Sequence, residues 1–564
     1  MIFGLQPADF FVVFVYLAGI TAIGVWMIRK VHDISDFFMP RRFGKVMMMF
    51  FSFGSGTHAD QAVSVASKTY TNGLSGIWYQ WLWLFCTPFY WLIAPFMRRF
   101  RAITTADVFE ARYDRSVAML YALVGCLNLS VNIGVMLKGS GAVVDASTGG
   151  AVSSNLAIAL MTVLFVTYGM AGGLSAAIVT DFVQGILTIV LSFLLLPFVF
   201  DAVGGMAGMH EKIQDAHMFS LVAPAEIGVF YIIIIAFNGL VGIVAQPHTM
   251  GNCAAGKTEW EGQIGFMGGT LIKRICTVAW CLTGLAAVAC FAGREVDPDL
   301  VFGMVARDFL PTIMPGMLGV FIASVLASVM SSCDAFMISS SGLFTENIYK
   351  PLVPGQSQKH YLVVARMVSV AIVAAGVGFA YWLEGVVKGL EIFWKIAPMM
   401  GIAFWLGLFW RRTSVAGAWA STLGAFGIWW LTERGFFIEF LRGLPASESL
   451  RFVYRDAVYL PWQMVFYLAG GLMLGIVISW FTKPVAKEKI ENYYALIRTP
   501  IQPGERILEA CTLPEGVEVP PRRVLFPKSS IELPVPSRNA VAGFTTGWIL
   551  VVAIIYIVVL IARI

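Results

Sequence analysis

Charged side chains are scarce in this sequence of 564 residues. They make up 13% of the chain, whereas 58% of its residues are hydrophobic, and soluble domains usually carry about a quarter charged residues. The mean hydropathy is +0.76. These values exclude a large soluble enzyme. A membrane-crossing helix needs about 20 apolar residues, so about fourteen of them would use about 280 residues, and the composition indicates an all-α polytopic membrane protein.

The sequence also lacks a regular pattern of paired cysteines and a continuous run of basic residues. Its 8 cysteines are scattered, mostly within apolar runs, and their spacing fits neither a set of disulfides nor a zinc site. The net charge of +5 is small for this length, and the basic residues form short clusters between apolar runs. Nucleic acid is therefore excluded as a partner, and we expect a lipid bilayer around the protein.

Apolar runs bounded by charged residues or by Gly/Pro clusters predict the membrane spans. They lie near residues 8–28, 44–66, 74–97, 117–144, 153–169, 174–200, 226–250, 264–291, 310–342, 361–383, 392–410, 414–432, 459–481 and 541–562. Arg29 and Lys30 follow the first run, which indicates an uncleaved span rather than a signal peptide. The excess of Arg and Lys in alternate loops predicts that both termini lie outside.

Two of these runs are interrupted by glycine and polar residues. The run from about residue 44 contains the string FGSGTHADQ at positions 53–61, and the run from about residue 227 contains Asn238 and Gly239 near its middle. Counted from the second span, these are the first helices of two successive groups of five. Matched interruptions of this kind point to a binding site at the membrane midplane between inverted repeats.

Two further segments contain candidate functional residues. Residues 172–185 read GGLSAAIVTDFVQG, a glycine turn that leads into a helix with Asp181 about two turns inside. A carboxylate within the membrane is costly and is typical of ion or proton handling. Ser328, Ser331 and Ser332 share one face of a later helix by their i, i+3, i+4 spacing. Such an oxygen-rich face suits a hard cation.

Four motifs in order resemble the solute:sodium symporter family. They are the string at 172–185, MSSCD at 330–334, QPH at 246–248 followed by Ala254 and Ala255, and GLFWRR at 407–412. The similarity runs from about the second to the eleventh span. It implies an inverted repeat of five plus five helices, shared with the leucine transporter, with two discontinuous helices.

The resemblance also implies a sodium site between the first broken helix and the serine helix. Its ligands would be backbone oxygens and hydroxyls from Gly54, Thr57, Ser328, Ser331 and Ser332. Na⁺ is then the coupling ion, and no other metal is expected. Asp181 matches the acidic residue beside the exit route of the ion. Asp334 lies where some members build a second site, so two close carboxylates would hold a second cation or share a proton; one ion is favoured.

By the same resemblance, the solute would contact His58, Asp60, Gln61, Asn238 and Lys273. This set offers both donors and acceptors, which suits a hydroxyl-rich ligand. A sugar or polyol is therefore favoured as the small polar organic solute, with an amino acid or a carboxylate as the alternative. The bulky aromatic gate of the family is replaced by Val241 and Gly242, which leaves the means of closure open.

One motif points to a different class of protein. Residues 251–258 read GNCAAGKT and match the phosphate loop of ATP-using proteins. That loop works only between a buried strand and a helix, and here an apolar span enters it, so we interpret the match as accidental. A passive channel and a sensory receptor are further distant alternatives. We expect a symporter and not an enzyme.

The predicted organisation follows from these features. An extra membrane helix (1–43) precedes the first five-helix repeat (44–201) and the second repeat (226–412). Two more membrane helices (413–482), a polar cytoplasmic segment (483–540) and a last membrane helix (541–564) complete the chain. The polar segment would be a linker or a lid beneath the bundle. The expected location is the cell membrane, plasma or inner.

Overall fold

The computed structural model is almost entirely helical. It describes residues 4–28, 38–223, 226–445, 447–502, 504, 505, 507 and 509–564. Arg29 and Lys30, which support the predicted orientation of the first span, lie outside the described residues. The first part of the chain forms helices α1 (Pro7–Ile28), α2 (Lys45–Gly54), α3 (Ala59–Asn72), α4 (Trp78–Trp81), α5 (Thr87–Arg99), α6 (Thr105–Arg112), α7 (Arg115–Ser147) and α8 (Ser154–Phe193).

The rest of the chain continues in the same way. Its helices are α9 (Leu196–Val203), α10 (Gly205–Lys212), α11 (Val229–Ile243), α12 (His248–Ala254), α13 (Glu259–Cys290), α14 (Val301–Ile313), α15 (Met317–Phe344), α16 (Lys350–Leu352), α17 (Gln358–Trp382), α18 (Val386–Phe409), α19 (Val415–Thr432), α20 (Gly435–Arg442), α21 (Ser447–Leu450), α22 (Leu460–Phe481), α23 (Lys487–Arg498) and α24 (Arg538–Ile561). Strands β1 (Val453–Tyr454) and β2 (Ala457–Val458) pair antiparallel in a short hairpin.

Many of these helices are suited to a bilayer. Within the described ranges, 9 helices are long and apolar enough to cross a membrane, or 10 if the bent pair α11 and α12 counts as one span. The apolar segment of α15 is wholly buried, whereas that of α24 is mostly exposed. Helix α15 therefore occupies the centre of the bundle, and α24 lies at its edge.

The first predicted interruption is present where the sequence places it. Helix α2 ends at Gly54, and α3 begins at Ala59 after an extended His58. The backbone N–H groups of Gly56 and Thr57 reach only the carbonyls of Phe53 and Gly54, so the regular helical ladder stops here. The end of a helix leaves carbonyl oxygens without helical partners, and these become available to a ligand in mid-bundle.

The second interruption lies further along the chain than predicted. Asn238 and Gly239 belong to the continuous helix α11, and the break falls at residues 244–247, where α11 and α12 are bent by 71°. The cause is Pro247, which lacks an N–H group and disfavours helical backbone in the residue before it. Gly239 instead allows close packing, because an added Cβ would lie 3.1 Å from the Leu82 side chain.

Helix α8 contains a further break that the sequence indicated. Gly173 has a positive φ of 59° and a ψ of −165°, a conformation that glycine adopts without steric cost. The predicted spans 153–169 and 174–200 correspond to the two parts of α8 around this glycine. The predicted span 74–97 is less regular, since a 3₁₀ helix (Gly73–Ile77), α4 and a turn precede α5.

The polar segment after α22 is folded against the ends of several helices. Arg411, just after α18, forms ion pairs with Glu491 of α23 and with Glu532. The buried Arg101, just after α5, donates hydrogen bonds of 2.6 and 3.0 Å to the Glu505 carboxylate. Burial favours the protonated form of Glu505, but the hydrogen bonds from Arg101 and from the Gln502 backbone, together with the charges of Arg101 and Arg98, outweigh it and hold the pKa of this carboxyl below its ordinary value.

Candidate functional site

The predicted cation ligands converge at the first break. Gly54 lies at the C-terminus of α2, and its carbonyl oxygen accepts a hydrogen bond of 2.9 Å from the Ser332 hydroxyl of α15. Ser331, its neighbour, donates a hydrogen bond of 2.6 Å to the Asp181 carboxylate of α8. Three helices therefore bring oxygen atoms together in the centre of the bundle.

The approach of these helices depends on glycine at position 54. A Cβ added there would lie 2.8 Å from the Ser331 Oγ atom and 3.5 Å from the Asp181 side chain. The first distance is too short for a relaxed structure. The absence of a side chain at Gly54 thus allows the carbonyl end of α2 to lie against the serine helix and the acidic helix at once.

The oxygen atoms available here suit a small hard cation. Thr57 and Asp181 are buried, and the Thr57 Oγ1 and Asp181 Oδ2 atoms have no hydrogen-bond partner among the described residues. Carbonyl, hydroxyl and carboxylate oxygens are the ligands that hard cations prefer. Ser328 is also buried, but its hydroxyl donates to the Val325 carbonyl of its own helix. Within the described ranges, no cluster of His, Cys, Asp and Glu residues could hold another metal.

Asp334 lies one turn beyond Ser331 on α15 and is buried. The chain thus places two acids, Asp181 and Asp334, on adjacent helices in the interior. Tyr16 of α1 lies in the same region, since its hydroxyl contacts the Met330 sulfur of α15 and accepts a hydrogen bond from Gln184 of α8. The extra N-terminal helix therefore packs directly on the acidic side of the candidate cation site.

A polar cavity lies beside the break, on the side of α3 and α13. It is a partly open space of about 510 Å³ between atoms, which includes solvent at its mouth. His58, Gln61 and Lys273, three of the predicted solute contacts, line it.

These three side chains are linked to one another. The Gln61 amide lies 3.0 Å from the His58 Nε2 atom and 3.2 Å from the Gly56 carbonyl oxygen. The Lys273 ammonium donates to the same carbonyl of Gly56 and lies 5.5 Å from the centre of the Trp83 ring. The cavity is therefore connected through residues 54–58 to the candidate cation site.

The remaining two predicted contacts lie outside the cavity lining. Asp60 is hydrogen bonded to the His58 Nδ1 atom and packs against α7, where a Cβ added to Gly139 would lie 2.3 Å from the Asp60 Cβ atom. The Asn238 amide donates to the Trp394 carbonyl and accepts from the Tyr467 hydroxyl. Asp60 thus orients an imidazole, and Asn238 joins α11 to α18 and α22.

The cavity also contains polar residues that the sequence did not single out as contacts. They are Asn132 of α7, Gln246 and His248 at the second break, Asn252 of α12 and Arg274 of α13. Gln246 and His248 belong to the QPH motif, one of the four motifs of the family resemblance. No motif marks Asn132, which follows Asn128 and Ser130 in a largely apolar run.

Aromatic side chains cover the cavity although Val241 is small. Trp83, Tyr90, Phe266, Phe336 and Phe393 all line it. They come from several helices, and none lies near Val241 in sequence. The Val241 carbonyl itself accepts a hydrogen bond from the Trp405 indole, which joins α11 to α18.

The string that matches a phosphate loop has no strand before it. Residues 251–254 belong to α12, and Thr258 caps α13. The backbone around it is already paired, since Phe43 donates to the Ala255 carbonyl and Lys257 donates to the Phe43 carbonyl. Backbone N–H groups are therefore not collected around a space for phosphate, as such a loop requires.

Comparisons with known proteins agree with this geometry. A sequence model of the sodium:solute symporter family matches residues 37–424. The sodium/pantothenate symporter of Escherichia coli (strain K12) is 25% identical over 472 residues, which cover 77% of this chain and 92% of that protein. The osmoregulated proline transporter OpuE of Bacillus subtilis (strain 168) is 24% identical, with 84% and 94% covered. The sodium/myo-inositol cotransporter 2 of Sus scrofa is 22% identical, with 91% and 82% covered.

Solved structures show the same fold. A sodium-coupled sialic acid symporter, in a substrate-bound outward-open state, superimposes with a TM-score of 0.67 at 17% identity, covering 86% of this chain and 99% of that one. Mhp1, a nucleobase-cation-symport-1 family transporter, gives 0.52 at 12% identity, with 82% and 99% covered. The predicted resemblance, the transporter class and Na⁺ as coupling ion are confirmed, and the enzyme alternatives are excluded. The chain belongs to the sodium:solute symporter family.

Proposed function

We propose that the protein carries a small polar organic solute across the cell membrane, plasma or inner, by sodium-coupled symport with alternating access. The observation that carries this proposal is that, at the break between α2 and α3, the Gly54 carbonyl accepts from the Ser332 hydroxyl while the Ser331 hydroxyl packs beside Gly54. Sodium would be held there by Gly54, Thr57, Ser328, Ser331 and Ser332.

The proposed architecture has about fourteen spans. In this description α2 with α3 and α11 with α12 are the discontinuous first helices of two inverted repeats, residues 44–201 and 226–412. The extra helices lie at 1–43, 413–482 and 541–564. The polar segment 483–540 would lie in the cytoplasm, where its ion pairs with the ends of α5 and α18 hold it beneath the bundle.

The mechanism links the ion to the solute through one short stretch of backbone. Sodium at the end of α2 would order residues 54–58, and the same residues present Gly56 and His58 to the cavity. Ordering by one ligand favours binding of the other, and this coupling is reciprocal. A sodium ion that moves through 100 mV gains about 2.3 kcal/mol, which would drive the solute inward.

We propose one sodium per cycle. Asp181 would lie on the exit route of the ion, since it accepts from Ser331 at the edge of the candidate site. Asp334 offers the alternative of a second cation or a proton shared between the two acids. The sodium dependence of transport distinguishes these schemes.

A hydroxylated solute, such as a sugar or polyol, is supported by the mixture of donors and acceptors around the cavity. An amino acid or a carboxylate is the alternative, and relatives are named for pantothenate, proline and myo-inositol. The aromatic residues around the cavity would close over the solute in place of the gate that the sequence lacks near Val241.

Uptake into liposomes tests the proposal. Purified protein is reconstituted, and a panel of labelled solutes is offered with an inward gradient of sodium or of choline. We expect saturable uptake that requires sodium and that stops when an ionophore removes the gradient. Conductance without solute, or uptake that depends on ATP, would contradict the proposal.

A further inference from the structure

Lys273 is a buried lysine that has no ion pair among the described residues. It lies in the middle of α13 and is 7% exposed. Its ammonium donates to the Gly56 carbonyl and lies near the Trp83 ring, but it makes no ion pair with any described residue. An ammonium has three donors, so hydrogen-bonding capacity remains on the side of the cavity.

Two other buried cations have acidic partners. The Lys395 ammonium of α18 is also 7% exposed and close to a tryptophan ring, but it has the Glu433 carboxylate at 3.5 Å. Arg101 has Glu505 at 2.6 Å. A buried charge without a partner is strongly destabilising. Lys273 therefore lacks the acidic partner that Lys395 and Arg101 have.

The surroundings of Lys273 increase the positive character of the cavity. Arg274 also lines it and donates to the Gln80 carbonyl, and the Arg274 Nε atom has no partner among the described residues. None of the described lining residues is an aspartate or a glutamate. Asp60, whose charge acts on Lys273 without forming an ion pair with it, packs against α7 and is hydrogen bonded to His58. A solute with a net positive charge would meet only cations and neutral groups.

The rest of the lining is neutral and polar. Gln61, Asn132 and Asn252 supply amides, and His248 supplies an imidazole whose Nδ1 atom has no partner in the described structure. These groups offer donors and acceptors to hydroxyl groups. The cavity therefore combines one end with two basic side chains and a wall that suits hydroxyls.

We propose that the transported solute is a hydroxylated monocarboxylate whose carboxylate binds Lys273 and whose hydroxyls bind the amides around it. The inference rests on the proposed function and specifies the solute of the same site. It joins the sugar or polyol interpretation to the carboxylate alternative, because an acid of this class has the features of both.

Three matched pairs of compounds test the inference on the purified full-length protein. Glycerate and glycerol, gluconate and sorbitol, and pantothenate and panthenol differ only in a carboxylate that is replaced by a hydroxymethyl group. Binding in sodium is measured from the rise in Tm with ligand concentration. We expect at least one acid to bind about 10- to 100-fold more tightly than its alcohol, as charge-assisted hydrogen bonds imply.

Two lysine variants provide the second part of the experiment. Lys273→Gln keeps a donor for the Gly56 carbonyl and removes the charge, so the preference for the acid should fall to about twofold or less through weaker binding of the acid. Lys395→Gln is the matched control, because it removes a buried lysine beside a tryptophan on another helix. It should retain the full preference.

The outcomes separate this inference from the proposed function. Equal or tighter binding of the alcohols would overturn it, as would a protein that sodium stabilises but that binds none of the acids. An unchanged preference in Lys273→Gln would also overturn it. Tight binding of an acid that does not depend on sodium would support the inference and contradict sodium coupling.

Discussion

The Ser332 hydroxyl provides the sharpest test of the candidate sodium site. It bonds the Gly54 carbonyl at 2.9 Å, so it connects the broken helix to α15, and it is proposed as one of the sodium ligands. Hydrogen bonds to charged groups contribute about 1.5–3 kcal/mol, and we assign a similar loss to removal of one oxygen ligand. Ser332→Ala should therefore weaken sodium binding about 10- to 100-fold.

Ser324 supplies the matched control. It is buried on the same helix, but its hydroxyl only donates to the Val320 carbonyl one turn earlier. Sodium is titrated into purified wild-type protein, Ser332→Ala and Ser324→Ala, and the sodium concentration at half of the rise in Tm is measured. The midpoint should move in Ser332→Ala alone. Equal midpoints in all three proteins would refute the assignment of Ser332.

Three further predictions concern substitutions of Asp334, Gly54 and Glu505. Asp334→Ser should leave the Hill coefficient of sodium-driven uptake unchanged if one ion is transported, and a fall in the coefficient would indicate a second ion. Gly54→Ala should cost about 1–3 kcal/mol of stability by overpacking, because its Cβ would lie 2.8 Å from a serine hydroxyl of α15. It should also abolish the sodium-induced rise in Tm. Gly44→Ala is the control, since a Cβ at Gly44 meets open space, and it should behave as wild type. The pKa of Glu505 is lowered in the folded protein. Its ionised carboxylate therefore stabilises the fold above the unfolded pKa of about 4.3, and this stabilisation is lost as the pH falls through the folded pKa. Glu505→Gln should leave the buried Arg101 unpaired and cost about 3 kcal/mol at neutral pH, and its Tm should change less than that of wild type between about pH 5 and pH 3.

The interruptions of the helices show how far local patterns extend. Gly54 and Gly56 mark the first break because glycine and polar residues weaken any helix, whatever surrounds it. The same rule suggested Asn238 and Gly239 for the second break, where it fails. Asn238 remains in the helix because Trp394 and Tyr467 satisfy its amide, and these partners lie more than a hundred residues away in the chain.

The residues of the candidate cation site were easier to predict than those of the cavity beside it. Gly54, Asp181 and the serines lie in short motifs, and the structure brings their oxygen atoms together. The cavity draws single residues from many helices, such as Asn132 and Arg274. Each lies in a largely apolar run, and its role depends on which way its helix is turned.

Composition and motifs by themselves determined that this chain is a membrane protein, that it belongs with sodium-coupled transporters, and where the first helix breaks. Only the tertiary structure decided which polar residues share the cavity, where α11 ends, and that Lys273 forms no ion pair with a described residue. The reason is that in a bilayer both the lipid-facing and the core-facing sides of a helix are apolar. Hydropathy therefore identifies a span without revealing its rotation, and rotation determines which side chains meet.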